Sequence, residues 1–214
     1  HIGSATLANG ISLCGLGPLG TQVQGCITIP SGAVLTLSGF TIQPGGSDSA
    51  LVVNGAVDLQ LLSMTLNGNA NATAFLVNSG NVNFACLTVY AGDGQAGLEL
   101  KAGSIFGRAM FATGGSIPGS NFVITSLCTV VASIILVPVV VENGGAFNCV
   151  CSFLVPVATP GDESGMTIEA GGTGICVGSA INSSAASGYC IAGSGTLIRW
   201  YIAAFPPVKN LDPA

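Results

Sequence analysis

Charge is what this chain lacks most. Of 214 residues only 6% are charged, four of them Lys or Arg and nine Asp or Glu, against roughly a quarter in ordinary globular proteins. Four scattered cations cannot build a phosphate-neutralising surface, so nucleic acid is excluded as an expected partner. There is one histidine, His1, at the very start. A nucleophilic triad needs an internal His or a substitute base, and a zinc centre needs several His or Cys ligands. No C-x-x-C pair, P-loop or dinucleotide fingerprint is present, so no metal site and no cofactor is expected. Long apolar runs are missing too. The longest stretch, Thr129 to Val141, is broken by Ser133 and Pro138 and falls short of the roughly 20 residues of a spanning helix, so no membrane span is expected. The opening His1-Ile2-Gly3-Ser4 has no basic segment followed by an apolar one, a feature that a processed chain would share. Helical periodicity is absent, and the 32 glycines recur too often for helices.

What the chain has is a repeat. Eight segments carry an apolar–x–apolar triplet: Ile27-Thr28-Ile29, Leu51-Val52-Val53, Phe75-Leu76-Val77, Leu98-Glu99-Leu100, Phe122-Val123-Ile124, Val139-Val140-Val141, Met166-Thr167-Ile168 and Tyr189-Cys190-Ile191. Their steps are 24, 24, 23, 24, 17, 27 and 23, and the odd pair of 17 and 27 equals two turns of 22. Two further alternating stretches follow each triplet, as in Val34-Leu35-Thr36-Leu37 and Phe40-Thr41-Ile42 after Ile29, with Gly, Asn or Ser at the bends. A period of 22–25 with three short strands predicts a solenoid whose turns bury a continuous core that no single turn could bury. An antiparallel sandwich or jelly roll also uses many short strands, but not matched triplets at a constant step.

Segments such as Ser49-Ala50-Leu51-Val52-Val53-Asn54-Gly55-Ala56-Val57-Asp58-Leu59 and Ala74-Phe75-Leu76-Val77-Asn78-Ser79-Gly80-Asn81-Val82-Asn83-Phe84 resemble coils of right-handed parallel β-helix proteins, the pectate-lyase-like fold and its viral and phage structural relatives. The expected fold is all-β: a single-domain right-handed parallel β-helix of seven to eight coils over 26–201, with an N-terminal cap at 1–25 and a Pro-rich C-terminal tail at 202–214.

The resemblance implies acidic and basic clusters where members are enzymes. Here Asp48, Asp93, Asp162 and Glu163 fall in Gly-rich turns, the setting of solvated turn residues. Asp58 sits on a strand, and its counterpart Asn83 in the next coil suggests a polar ladder rather than a pair of carboxylates. Lys101, Arg108, Arg199 and Lys209 are scattered, with Glu99 and Lys101 placed to pair with each other. No catalytic cluster emerges.

The middle residues of the triplets should face outward, where a monomer in water would carry polar side chains. Val52, Leu76, Val123 and Val140 are aliphatic instead, and form a candidate interface. Cys190, as a middle residue, should also face out. Thr41, Thr65 and Thr88 form a short ladder before Phe111 breaks it. The ladder resembles that of ice-binding solenoids, and β-propensity is the simpler account. Cys149 and Cys176, each eight residues after a triplet, should stack about 4.8 Å apart, as a disulfide or as an inward stack of small apolar side chains. Cys14 and Cys26 flank a loop that a disulfide could close. Asn71 and Asn182 begin glycosylation sequons. The function these features favour is a non-enzymatic building block of a virion or an extracellular filament, whose partners are copies of itself or other structural proteins. A carbohydrate-active β-helix is the alternative, and an ice- or surface-binding protein a third.

Overall fold

The computed structural model describes residues 4–114, 121–155, 164–182, 190–200, 203–205 and 212–213. The chain is all-β, a parallel β-solenoid of about eight turns in one domain. Three faces run along it. The first face stacks the triplets, Ile27–Ile29 on Leu51–Val53 on Phe75–Val77 on Leu98–Leu100 on Phe122–Ile124 on Val139–Val141 on Met166–Ile168, with every pair parallel and in register. The second face stacks Val34–Ser38 and its successors up to Thr196–Trp200. The third carries Thr41–Gln43 and its successors up to Ala203–Phe205. Residues 5–24 add short strands that pair beneath the first full turn.

Period-2 alternation decides which side chains enter the core. The ends of each triplet point inward, as in the column Ile27, Leu51, Phe75, Leu98, Phe122, Val139, Met166 and Ile191, where every side chain is at most 2% exposed. Large and small residues compensate between rungs. Phe84 fills the core beneath Gly107, where an added Cβ would lie 2.4 Å from its ring. Gly174, in register with Phe147, likewise leaves room for its neighbours, since an added Cβ would lie 2.6 Å from Ile168 Cδ1.

The last turn corrects the sequence reading. Met166 pairs with Ile191, not with Tyr189, so the triplet is Ile191-Ala192-Gly193 and the step is 25. Tyr189 itself lies outside the described residues. Cys190 therefore stands one position before the triplet, in the corner occupied by Ala50 and Ala74 in earlier turns, and it is fully buried rather than outward. The irregular steps around Val141, by contrast, are real. Ile135 to Val139 spans four residues, whereas Leu154 to Met166 spans twelve. The variation in turn length sits mainly in the connection from the third face back to the first.

The corner between the second and third faces is one residue long and left-handed. Gly39, Ser63, Cys86, Ala109, Ala132, Cys151 and Gly178 occupy it in successive turns, with φ between 49° and 69°. Five of the seven are not glycine, each held there at a cost of about 1–2 kcal/mol. The bend persists because the inter-turn hydrogen bonds run through it: Ala132 donates its N–H to the Val150 carbonyl at 3.0 Å, and Cys151 to the Val177 carbonyl at 2.8 Å.

Just past this corner the core turns polar. In the later turns the inward position that held Phe40, Met64, Leu87 and Met110 is taken by Ser133, Ser152 and Ser179, each at most 3% exposed. Ser133 Oγ accepts the Met110 N–H at 3.1 Å, Ser152 Oγ the Ser133 N–H at 3.2 Å, and Ser179 Oγ the Ser152 N–H at 3.2 Å. Each hydroxyl also donates to a carbonyl two residues back, at 2.9–3.1 Å. A buried hydroxyl is tolerated when both its donor and acceptor capacities are used, and this serine ladder uses both.

Candidate interaction faces

On the first face, Thr28, Val52, Leu76, Glu99, Val123, Val140 and Thr167 form one outward column in register. All are half-buried, because each stacks against its neighbours above and below. Val52 and Leu76 are adjacent, as are Val123 and Val140, and Glu99 separates the two pairs. Glu99 binds Lys101 at 3.4 Å and accepts from Thr73 Oγ1 at 3.4 Å. The expected pairing of Glu99 with Lys101 is thus present, as an exposed ion pair of little energetic weight.

Apolar side chains more exposed than this column lie on the other faces. On the third face the threonine column Thr41, Thr65, Thr88 continues in register as Phe111, Ile134 and Phe153, which are 38%, 44% and 55% exposed. Adjacent rungs in a sheet lie about 4.8 Å apart, so these three form an unbroken apolar strip. Phe106, 56% exposed, flanks it on the second face of the same turn as Phe111. The sequence reading followed this column only through its threonines, took Phe111 as the break in the ladder, and missed the strip. The step from Thr88 to Phe111, followed by Ile134 and Phe153 at the same offset past the left-handed corner, is the signal that marks it.

Asp58 and Asn83 do touch, but not as register partners. Gln60 is the residue opposite Asn83, and Asp58 Oδ1 accepts from both amides, at 2.6 Å from Gln60 Nε2 and 3.0 Å from Asn83 Nδ2. Asp48 and Asp93 are exposed in turns, and Asp48 accepts from Ser4 at 3.1 Å. Among the described residues no three His, Cys, Asp or Glu side chains gather in a way that could hold a metal ion. Asp162, Glu163, His1, Lys209 and the Pro206-Pro207 pair lie outside the described residues.

All eight cysteines are free thiols. Cys149 and Cys176 stack in register, both fully buried, with their sulfurs 2.9 Å apart. Hydrogen bonding with Cys149, together with burial, raises the Cys176 thiol strongly. Burial, aided by Cys149, pushes Cys128 up to about 12, and burial also raises Cys26 and Cys190. Cys26, Cys128, Cys176 and Cys190 are thus held in their neutral form, whereas hydrogen bonding with Cys176 outweighs burial at Cys149 and lowers that thiol. Cys14 is exposed on the second face and Cys26 is buried at the corner before the first. Asn71 is exposed in a loop, where it reaches the Gly46 carbonyl at 3.2 Å. Asn182 is exposed at the end of a third-face strand, and the rest of its sequon lies outside the described residues.

No family model, no curated protein and no solved structure matches this chain.

Proposed function

We propose that this chain is a structural protein that assembles through its outward apolar faces, with copies of itself as the first partner. The observation that carries this reading is the strip of Phe111, Ile134 and Phe153 on a stiff parallel solenoid with so little charge. An apolar strip held rigid by inter-turn hydrogen bonds loses little conformational freedom on docking, so burying it is favourable at about 25 cal/mol per Å². The half-buried aliphatic column of Val52, Leu76, Val123 and Val140 supplies a second surface on another face, and two faces permit lateral growth in two directions. A low net charge of −5 leaves little repulsion between copies. A virion component or an extracellular filament is the setting that suits such a block.

Sedimentation velocity and negative-stain electron microscopy over a range of concentrations test this. Discrete oligomers or filaments are expected, and Ile134→Asp should dissociate them without altering the far-ultraviolet circular dichroism. A protein that stays monomeric at high concentration overturns the proposal. Val52→Asp and Val123→Asp separate the two faces: if only these disrupt assembly, the first face is the contact.

A further inference from the structure

On the second face Phe106 and Arg108 stand two residues apart on one strand, both outward and both exposed. Arg108 has no carboxylate partner among the described residues, whereas Lys101 is held by Glu99 and Arg199 stands over Cys176 in the last turn. In the turn before, the residue in register with Arg108 is Ala85, and the one in register with Phe106 is Asn83. The Ala85 methyl group leaves a shallow depression beside the guanidinium.

The edge of the first face carries the complement. Val140 and Glu142 are likewise two residues apart, and the inter-turn ladder continues through Glu142, whose N–H donates to the Ile124 carbonyl at 2.9 Å. Glu169 takes the same place in the next turn, its N–H donating to the Val141 carbonyl at 2.8 Å. The two glutamates are therefore stacked on rungs about 4.8 Å apart, and neither has a cation among the described residues. Like charges directly opposite each other in a sheet repel, so this edge lacks a positive charge. Two residues along a strand span about 6.7 Å. The pair Phe106 and Arg108 thus has the same spacing as the pair Val140 and Glu142, apolar group first and charged group second.

We infer that these two surfaces join neighbouring copies of the chain, with Phe106 packing on Val140 and Arg108 binding Glu142 and Glu169 of the next copy. The inference rests on the assembly reading above and supplies the surface on which its first-face column docks. Handedness fixes how the copies lie. Both solenoids wind in the same sense, so two faces brought together with strands running the same way must have opposed axes. Only strands running the same way match ring to aliphatic and cation to anion. Parallel axes would set Phe106 on Glu142 and Arg108 on Val140. With the axes opposed, the turn before Arg108 meets the turn after Glu142. Glu169 then falls over Ala85, in the depression beside the guanidinium, and Thr167 falls over the Asn83 amide. The planar arginine fork has donors enough for both carboxylates. The joined patches differ, so the contact is heterologous and leaves a free patch of each kind for further copies. It extends the assembly in a row of alternating orientation.

Sedimentation velocity and electron microscopy of the native protein, of Arg108→Glu and of the double variant Glu142→Lys/Glu169→Lys test the joint. Each variant alone should lose at least about tenfold in association at this contact, the scale of one charge-assisted interaction. Growth should then stop at the small oligomers held by the apolar strip, with the far-ultraviolet circular dichroism unchanged. Mixed in equal amounts, the two variants should grow again, because the reversed half of each meets the reversed half of the other and their native halves still match. Salt at about 1 M, where screening acts beyond about 3 Å, should shorten the native assembly to the same small oligomers. A native protein that assembles to the same size as both variants, or a mixture that fails to grow, overturns the joint and leaves the strip contact standing. Growth that a chelator abolishes and Arg108→Glu does not also overturns it, with a divalent cation as the occupant of the glutamate edge. A native protein that stays monomeric overturns both readings.

Discussion

Removing one hydroxyl from the serine ladder should cost far more than its size suggests. In Ser152→Ala the lost Oγ had accepted the Ser133 N–H at 3.2 Å and donated to the Val150 carbonyl at 2.9 Å. The two losses are unequal. The Val150 carbonyl keeps the Ala132 N–H at 3.0 Å, so it stays satisfied. The Ser133 N–H loses its acceptor, in a residue only 1% exposed where water cannot replace it. An unsatisfied buried donor costs about 1–3 kcal/mol, and the alanine methyl recovers little of that. We therefore expect about 2 kcal/mol of destabilisation, which for a chain of this length lowers Tm by about 4–8 °C. Ser133→Ala should cost a similar amount by orphaning the Met110 N–H. The comparison is Thr88→Ala, an outward side chain on the third face of another turn, expected within about 0.5 kcal/mol of the parent. Urea and thermal unfolding at one fixed protein concentration keep any assembly contribution constant. If Ser152→Ala matched Thr88→Ala, the ladder's hydrogen bonds would carry no net stability and the reasoning would fail.

Other consequences follow from the same packing. Gly107→Ala places a methyl 2.4 Å from the Phe84 ring, so it should cost about 1–3 kcal/mol as overpacking; adding Phe84→Leu should restore part of the stability, measured by urea unfolding. Ala109→Val at the left-handed corner, where φ is 57°, should destabilise by at least about 1 kcal/mol, because a β-branched residue is poorly tolerated there. In a thiol titration with an aromatic disulfide, exposed Cys14, Cys86 and Cys151 should react in the native protein and the other five only after unfolding. Since burial lifts Cys128 from 9.0 to about 12, the unfolded thiol ionises first as pH rises. Its contribution to stability is complete below pH 9 and disappears between 9 and 12; Cys128→Val should flatten that part of an alkaline unfolding profile.

Much of the fold is legible in the sequence because the triplets report two things at once, the core residues and the register. The stack of Cys149 on Cys176 follows from their shared offset of eight residues, and the structure places them as register partners. The same logic fails at the last turn for a physical reason. Strand alternation has a period of two, so Tyr189-Cys190-Ile191 and Ile191-Ala192-Gly193 alternate equally well, and the true triplet ends in a glycine that hides it. The serine ladder escaped because serine ordinarily marks a turn. Ser152 and Ser179 nevertheless share an offset of eleven residues from Val141 and Ile168, the test that found the cysteines.

The placement of irregularity in this solenoid separates what is fixed from what is free. The span from the end of a triplet to the inward residue of its third strand stays at 11–13 residues in every turn from Ile29–Ile42 to Ile168–Ile181. The return to the first face ranges from four residues after Ile135 to twelve after Leu154. The second face and the left-handed corner are therefore held in nearly constant geometry, because any insertion there would break inter-turn hydrogen bonds on both sides. This is where the apolar strip and the second-face columns lie, on surfaces whose spacing is set by the 4.8 Å ladder. Loops at the third corner can lengthen without moving either. An insertion of several residues between Leu154 and Met166 should thus leave assembly intact, while a single residue inserted between Arg108 and Met110 should disrupt it by shifting Phe111 to the inward side.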